Sequence, residues 1–272
     1  MSGAGHRRGE TDCLPAGLRQ TGCQPIAGGV DEPPVFIVEA CDSTMNLAWR
    51  LLAEDRFPEW ASVLAESQSA GRGQFGRGWY SPPGNLYASL RLPRPGTAVW
   101  TGLLPLLLAA SMHAILRGRG LPAAIKWPND LLVAGKKVGG ILVEMKSDAV
   151  IAGVGLNLAW APQFRDLRHP LAPPAGCLRE FGLQDVPRDI WMPFVRDLRA
   201  RMQRSLEQDD PEQFTERLAP HLAYVDERIL LDAHAAGERP VIFQGIDAGG
   251  GIRVLTADGV KIYRSGSLYP AV

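Results

Sequence analysis

The sequence predicts an α+β fold, in which a mixed β-sheet flanked by helices is followed by a small C-terminal β-barrel. Three observations support this prediction. Strand patterns cluster in the middle of the chain, apolar or amphipathic helix patterns precede and follow that cluster, and short strands separated by glycine turns fill the chain from Val225 onward. We therefore divide the chain into a tail over residues 1–34, a large domain over 35–224 and a small domain over 225–272.

Composition and charge indicate an ordinary globular protein. Of its 272 residues, 46% are hydrophobic, and 29 basic residues balance 29 acidic ones. A protein whose main function is nucleic-acid binding usually carries a basic excess, so that class is disfavoured. The four cysteines and five histidines show no disulfide or metal-ligand spacing. With no signal peptide predicted at the N-terminus, reduced thiols favour a cytoplasmic protein.

The first elements follow a segment that is poor in large apolar side chains. Residues 1–34 contain seven Gly and four Pro, which predicts a disordered tail. A strand is predicted over Val35–Glu39, and Asp42-Ser43-Thr44 then supplies capping residues for an amphipathic helix. Two further strands are predicted over Ala61–Glu66 and Asn85–Leu92.

The uncharged stretch from Val99 to Leu116 is long enough to span a bilayer. It contains polar residues and a proline, and it lacks basic residues at its N-terminal side, so we predict a buried helix instead. Pro105 is expected in the first turn of this helix, and Gly118 or Gly120 at its end.

The middle of the chain predicts an antiparallel meander. Its strands are Leu131–Val133, Lys137–Met145 and Val150–Leu158, and good hairpin turns separate them. Residues 160–187 are rich in proline and are predicted as a loop. An amphipathic helix follows this loop, and a shorter helix begins at Asp210 with Pro in its first turn.

A glycine-rich segment from Gln68 to Asn85 has the sequence QSAGRGQFGRGWYSPPGN. Its glycine spacing matches the dinucleotide-binding fingerprint, but two prolines prevent the helix that must follow, and the required acidic residue is missing. We therefore interpret it as a loop whose amides, together with Arg72 and Arg77, surround an anion. A mobile surface loop is the alternative, which the aromatic residues Trp79 and Tyr80 disfavour.

Lysine is rare in this chain and unevenly placed. There are five lysines against 24 arginines, and Lys126, Lys136 and Lys137 fall within twelve positions, the first of them in the sequence KWPND. A lysine ammonium is a compact charge that suits phosphate or carboxylate oxygens. The pattern predicts an anion site, with a solvated basic hairpin as the alternative.

Glycines interrupt two neighbouring strands of the predicted meander, at Gly139, Gly140, Gly153 and Gly155. Glycine weakens a strand unless a group must approach the backbone closely, so the pattern predicts a flat apolar ligand on the sheet, with a pair of bulges as the alternative. No catalytic triad, HExxH or paired-carboxylate pattern is found. Catalysis by positioning and charge stabilisation is therefore favoured over covalent catalysis.

Five segments in the same order resemble motifs of the biotin protein ligase family. They are Asp42-Ser43-Thr44, GRGQFGRGWYSPPGNLY at 71–87, KWPND at 126–130, KVGGILVE at 137–144 and GVGLN at 153–157. The resemblance covers residues 35–272. It implies the catalytic fold of biotin and lipoate ligases over 35–224, an SH3-like domain over 225–272, and a monofunctional enzyme without the family's optional DNA-binding domain.

The resemblance also implies a reaction and its participants. The carboxylate of biotin attacks the α-phosphate of magnesium-ATP, which gives biotinyl-5′-adenylate and pyrophosphate. A lysine of a biotin carboxyl carrier domain, in acetyl-CoA carboxylase or a similar enzyme, then attacks the mixed anhydride. ATP, Mg²⁺ and biotin are thus expected, with no membrane and no nucleic acid beyond the nucleotide substrate, and a homodimer is left open.

Residue roles follow from the same resemblance. Lys137 and Arg72 are implied as the catalytic residues. The implied biotin-binding residues are Ser43, Thr44, Met45, Gln68, Arg72, Gly73, Gln74, Lys137, Gly140, Leu142, Gly153 and Gly155. The implied ATP- and adenylate-binding residues are Arg72, Arg77, Trp79, Lys126, Asn129, Asp130 and Asn157. Asp130 is also the candidate Mg²⁺ ligand.

The chain departs from the family motifs at two places. Gln74 and Phe75 stand where two arginines are usual, and Met45, followed by Asn46, stands where the motif usually has Asn. The first departure removes two charges from the loop that closes over the adenylate. The lost arginines leave open a non-catalytic protein that binds biotin or biotinyl-adenylate. A lipoate or octanoate ligase also stays open, because it shares the fold.

Overall fold

The computed structural model describes residues 25–26, 33–162, 170–207, 210–232 and 240–271. Most of the predicted tail, and residues 163–169 of the predicted loop, lie outside these ranges. The tail prediction is wrong for Pro25–Ile26, which form a short strand paired antiparallel with Val35 and Phe36. The open edge of the sheet explains this strand, because an edge offers unpaired backbone groups.

The large sheet has eight strands. They are β1 (Pro25–Ile26), β2 (Val35–Cys41), β3 (Ser62–Gln68), β4 (Leu86–Leu92), β5 (Ala123–Lys126), β6 (Asp130–Val133), β7 (Lys136–Lys146) and β8 (Ala149–Leu156). Their order is β1-β2-β3-β4-β8-β7-β6-β5, and only β2 and β3 are parallel neighbours in this described sheet. The mixed sheet and the antiparallel meander are confirmed. β5 is absent from the predicted elements because four residues are too few to show an alternating pattern.

Helices cover both faces of this sheet. They are α1 (Thr44–Ala53), α2 (Ala98–Arg117), α3 (Pro187–Glu207) and α4 (Pro211–Leu218). Successive strand residues point to opposite faces, so on β8 Ala152 is buried with the α2 and α3 residues while Ile151 is buried with those of α1. The face toward α2 and α3 holds the larger core, and the other face is left partly open beside α1.

α2 is the predicted buried helix. By length and composition it could span a membrane, but 67% of its apolar window is buried inside the fold. The prediction that Pro105 lies in the first turn is wrong. The Thr97 hydroxyl accepts a hydrogen bond from the Trp100 N–H, so the helix begins at Ala98 and Pro105 lies about two turns further along. The predicted end is confirmed, since Gly118 follows the last helical residue.

The C-terminal strands form a separate antiparallel sheet of five strands, as expected of a small SH3-like domain. They are β9 (Arg228–Asp232), β10 (Val241–Ile246), β11 (Ile252–Thr256), β12 (Gly259–Tyr263) and β13 (Ser267–Pro270), in the order β12-β11-β10-β9-β13. Trp127 of the KWPND motif is fully buried and donates its indole N–H to the Gly250 carbonyl, at 2.9 Å. This bond ties the motif to the C-terminal sheet.

Candidate active site

A cleft of about 1140 Å³ opens on the face of the large sheet that α2 and α3 leave free. Its walls come from the start of α1, the glycine-rich loop, the β5–β6 turn, β7 and β8. All the predicted site residues line it: Ser43, Thr44, Met45, Gln68, Arg72, Gly73, Gln74, Arg77, Trp79, Lys126, Asn129, Asp130, Lys137, Gly140, Leu142, Gly153, Gly155 and Asn157. The fold therefore brings together residues that are more than a hundred positions apart in the chain.

The start of α1 is held by Gln68 rather than by the predicted cap. Ser43 occupies the N-cap position, but its side chain makes no capping hydrogen bond. Instead, the Gln68 Oε1 accepts hydrogen bonds from the Thr44 N–H at 2.8 Å and from the Thr44 hydroxyl at 3.2 Å. This is possible because β2 and β3 run parallel and place Cys41 beside Gln68. The Gln68 amide donates in turn to the Ser81 hydroxyl at 2.9 Å.

The strand glycines are covered by side chains of the protein itself. A Cβ at Gly153 would lie 2.9 Å from the Met45 sulfur, and a Cβ at Gly155 would lie 2.6 Å from the Trp79 ring. The predicted close approach to the backbone is therefore correct. In this structure Met45 and Trp79 make that approach, and a flat apolar ligand on the sheet stays a prediction.

Two lysines share one carboxylate at the end of the cleft. Asp130 Oδ1 lies 2.6 Å from the Lys137 ammonium, and Asp130 Oδ2 lies 3.0 Å from that of Lys126, which is buried. Burial would raise the pKa of Asp130, but the charges of Lys137 and Lys126 outweigh it and lower this pKa to about 2. Lys137 also lies 5.7 Å from the centre of the Trp79 ring, and it is the more exposed lysine. The group thus presents one ammonium to the cleft.

These surroundings do not fit a resident Mg²⁺ at Asp130. Each of its oxygens already faces an ammonium group, and a divalent cation beside two such groups would be repelled. Within the ranges that the structure describes, no three His, Cys, Asp or Glu side chains form a cluster able to hold a metal ion. We therefore do not assign Asp130 as a metal ligand.

Arg72 is bound to a carboxylate that sequence reasoning overlooked. Its guanidinium donates to Glu144 on β7 at 3.1 to 3.3 Å and also to the Asn46 side-chain oxygen. Glu144 accepts a further hydrogen bond from the Trp49 indole at 2.9 Å, and the Asn46 amide donates to Asp42 at 2.8 Å. Asn46 is thus committed to Asp42 and Arg72. Glu144 is the last residue of the KVGGILVE motif, and that position was the feature of the sequence that could have indicated its place in the site.

The loop that carries Arg72 is a short hairpin. Gly73 N–H donates to the Arg77 carbonyl at 2.7 Å, and a 3-10 turn at Gln74–Gly76 forms the tip. Phe75 has a φ of 58°, and 62% of its surface is exposed. The Arg77 guanidinium lies 5.5 Å from the Phe75 ring centre. The departures from the family motif therefore place an exposed aromatic ring at the tip.

The two predicted asparagines anchor backbone around the cleft. Asn129 donates to the Ile141 carbonyl at 2.6 Å, and Asn157 donates to the Gly176 carbonyl at 3.1 Å. Both are buried, so these bonds fix the walls beside Lys137. Ser267 and Tyr269 of β13 also line the cleft. They were missed because nothing in a four-residue strand points to a distant site.

Comparison with known proteins assigns the family. The model of the biotin/lipoate A/B protein ligase family matches residues 37–158. A biotin–[acetyl-CoA-carboxylase] ligase of Paracoccus denitrificans is 34% identical over 200 residues, which make up 71% of this chain and 82% of that protein. This chain belongs to the biotin/lipoate A/B protein ligase family. A bifunctional ligase/repressor of Bacillus subtilis is 39% identical over 151 residues. These residues make up 51% of this chain but only 46% of that protein.

Solved structures confirm the fold of this biotin/lipoate ligase family member. The biotin protein ligase of Aquifex aeolicus in complex with biotin and ATP superposes with a TM-score of 0.72 at 26% identity, over 87% of this chain and 99% of that one. The enzyme of Leishmania major in complex with biotinyl-5-AMP gives a TM-score of 0.61 at 27% identity, over 84% and 98%. The predicted architecture of mixed sheet and C-terminal β domain is therefore correct.

Proposed function

We propose that this chain is an ATP-dependent biotin–protein ligase of the cytoplasm. It forms biotinyl-5′-adenylate and transfers the biotinyl group to a lysine of a carboxyl carrier domain, such as that of acetyl-CoA carboxylase. The observation that carries the proposal is the Lys137 ammonium, held at the cleft by Asp130 and by the Trp79 ring. The relatives that bind biotin with ATP, or biotinyl-5-AMP, support the same substrates.

The first step needs charge stabilisation more than a base. The biotin carboxylate is already ionised near neutral pH, so it attacks the α-phosphorus directly and pyrophosphate leaves. In the transition state the biotin carboxylate oxygen and the α-phosphoryl oxygens, all negatively charged, come close together. Lys137 stabilises this charge by binding both the carboxylate and the α-phosphate. Buried Lys126 keeps the Asp130 carboxylate from cancelling the Lys137 charge completely. Mg²⁺ enters with ATP, as part of the substrate.

Binding is divided between the two ends of the cleft. Met45 and Gly153 form an apolar surface beside the hydroxyl groups of Ser43 and Thr44, which suits an uncharged ring system with a polar edge. The Trp79 ring lies over Gly155 and 5.7 Å from the Lys137 ammonium. The ring system therefore lies toward α1, and its carboxylate points toward Lys137.

The second step transfers the acyl group to an amine. The carrier lysine attacks the carbonyl carbon of the mixed anhydride as a neutral amine, AMP leaves, and a proton is lost from the new amide nitrogen. In this structure the Arg72 guanidinium is held by Glu144 at 3.1 Å, and we expect this contact to be exchanged when Arg72 binds the adenylate. The Arg72–Glu144 pair is thus the interaction that loop closure must exchange for contacts to the nucleotide.

The test is the mass of a carrier domain after incubation with this protein, ATP and Mg²⁺. Biotin, lipoate and octanoate are supplied in separate reactions, and a carrier whose acceptor lysine is changed to arginine is the matched control. We expect one biotinyl group on the carrier, none on the control, and no modification by the other acids. Carrier modification with lipoate or octanoate but not with biotin would refute biotin as the substrate. If biotin binds but the carrier is not modified and no pyrophosphate is released, a binding protein is favoured over an enzyme.

A further inference from the structure

A second cavity, of about 600 Å³, lies between α2, α3 and α4. It is on the opposite side of the large sheet from the cleft, and the proposed reaction does not use it. The residues that line it are Leu107, Ala110, His113, Ala114, Arg117, Arg201, Arg204, Ser205, Phe214, Arg217, Leu218 and His221. Its volume is in the range of small-molecule sites, roughly 300 to 1,000 Å³.

The wall of this cavity is strongly cationic. Four arginines contribute to it, and none of its lining residues within the described ranges is an aspartate or a glutamate. The chain as a whole has a formal net charge of zero, so the excess is local. Arg201 pairs through Nε with Asp197 at 2.6 Å. Arg117 and Arg204 have no carboxylate partner in the part of the chain that the structure describes.

Two neighbouring histidines, whose rings are tilted by 36° to each other, complete the wall. The His113 and His221 rings lie 4.5 Å apart between centroids, with His113 buried and His221 exposed. His113 Nε2 is 3.1 Å from the Ala123 carbonyl oxygen. Burial, followed by the nearby His221 and two arginines, lowers the pKa of His113 to about 4. Burial is the main cause of this low pKa, and the positive charges of Arg117 and Arg201 on the same cavity wall add to it.

We propose that this cavity binds a small phosphorylated anion with at least two negative charges. The planar guanidinium group of arginine can donate two parallel hydrogen bonds to the oxygens of one phosphate. Arginines from α2, α3 and α4 line this cavity together. The concave shape between helices fits a small molecule better than a flat protein surface. The buried Ser205 on α3 adds a hydroxyl to the polar wall.

Inorganic pyrophosphate is the probe, and the imidazole NMR signals of His113 and His221 are the measurement. The full chain is titrated at constant ionic strength and fixed pH, so that general salt screening is held constant. Because these signals come from the cavity, binding of pyrophosphate in the cleft does not contribute directly. We expect shifts that saturate in the wild type. Shifts that stay linear with concentration would overturn the proposal.

Two pairs of substitutions make the test specific. Arg117→Ala with Arg204→Ala removes two exposed cavity arginines, and we expect the dissociation constant to rise at least tenfold. Arg188→Ala with Arg253→Ala removes two exposed arginines outside the cavity, and we expect a change of less than twofold. Equal weakening in both pairs would overturn the proposal. Citrate is titrated in parallel, and tighter binding of citrate than of pyrophosphate would assign the site to polycarboxylates and refute the phosphate class.

Folding of the cavity pair is checked by the same spectra. If the adjacent rings of His113 and His221 keep their signals before titration, the helices are in place and weaker binding reports the lost guanidiniums. Arg117→Lys with Arg204→Lys retains the charges but not the planar forks. We expect it to bind between the wild type and the alanine pair, and binding as weak as that of the alanine pair would show packing damage and contradict a charge-based site.

Discussion

Replacement of Asp130 by asparagine tests the electrostatic design of the cleft. In the wild type, one buried carboxylate lies 2.6 Å from Lys137 and 3.0 Å from Lys126. A pKa of about 2 instead of the ordinary aspartate value of about 3.9 corresponds to about 2 kcal/mol of favourable interaction in the folded state. Asp130→Asn removes this interaction and leaves the buried Lys126 ammonium without a counter-charge. The expected loss of unfolding free energy at neutral pH is therefore about 3–5 kcal/mol.

The assay is urea unfolding at neutral pH, with Asp258→Asn as the matched control. Asp258 pairs with Lys261 at 3.2 Å, but the aspartate side chain is 80% exposed, so its loss should cost less than about 1 kcal/mol. The pKa of Asp130 is lowered on folding, so its stabilisation is present above pH 4 and is lost as pH falls toward 2. Asp130→Asn should therefore unfold with a weaker pH dependence in that window. Equal losses for the two variants would refute the reasoning.

Three further substitutions test the loop and the strand glycines. Glu144→Gln should tighten ATP binding a few-fold by releasing Arg72, and an unchanged ATP affinity by calorimetry would show that the pair does not compete with the nucleotide. Gln74→Arg restores a loop charge and should slow dissociation of biotinyl-adenylate, measured by rapid dilution; an equal rate would mean that the loop compensates elsewhere. Gly155→Ala places a methyl group 2.6 Å from the Trp79 ring and should reduce ATP affinity at least tenfold, whereas Gly96→Ala, with no atom within 4 Å, should not. Equal ATP affinities of these two alanine variants would count against the role of Trp79.

Local patterns were enough to predict the elements that position the cleft. Alternating residues over Asn85–Leu92 and the hairpin turns before Lys137 and Val150 predicted strands that the structure confirms. The glycines at 153 and 155 correctly indicated a close approach to the backbone. Each of these signals depends on neighbours within a few residues, which is the range over which side-chain periodicity acts.

Contacts between distant segments were not predictable in the same way. The Arg72–Glu144 pair joins a loop to a strand, and neither residue carries a local signal for the other. Met45 fills the space above Gly153 only because α1 crosses that strand, a fact of the tertiary fold. Gln68, rather than the predicted capping residues, binds the Thr44 N–H at the start of α1, because the pairing of β2 with β3 brings Gln68 there. The sequence motifs named the residues that line the cleft, but not the pairs that these residues form with one another or with Glu144.

Biotin-dependent exchange of labelled pyrophosphate into ATP measures the proposed first step without any carrier. We expect the wild type to catalyse this exchange, and Lys137→Ala to lower its rate by at least about 10²-fold, the cost of removing one group that stabilises transition-state charge. Lys261→Ala, on the C-terminal sheet, should keep the wild-type rate, and thermal unfolding should show that both variants are folded. Exchange by Lys137→Ala at the wild-type rate would contradict the role assigned to the lysine at the centre of the cleft.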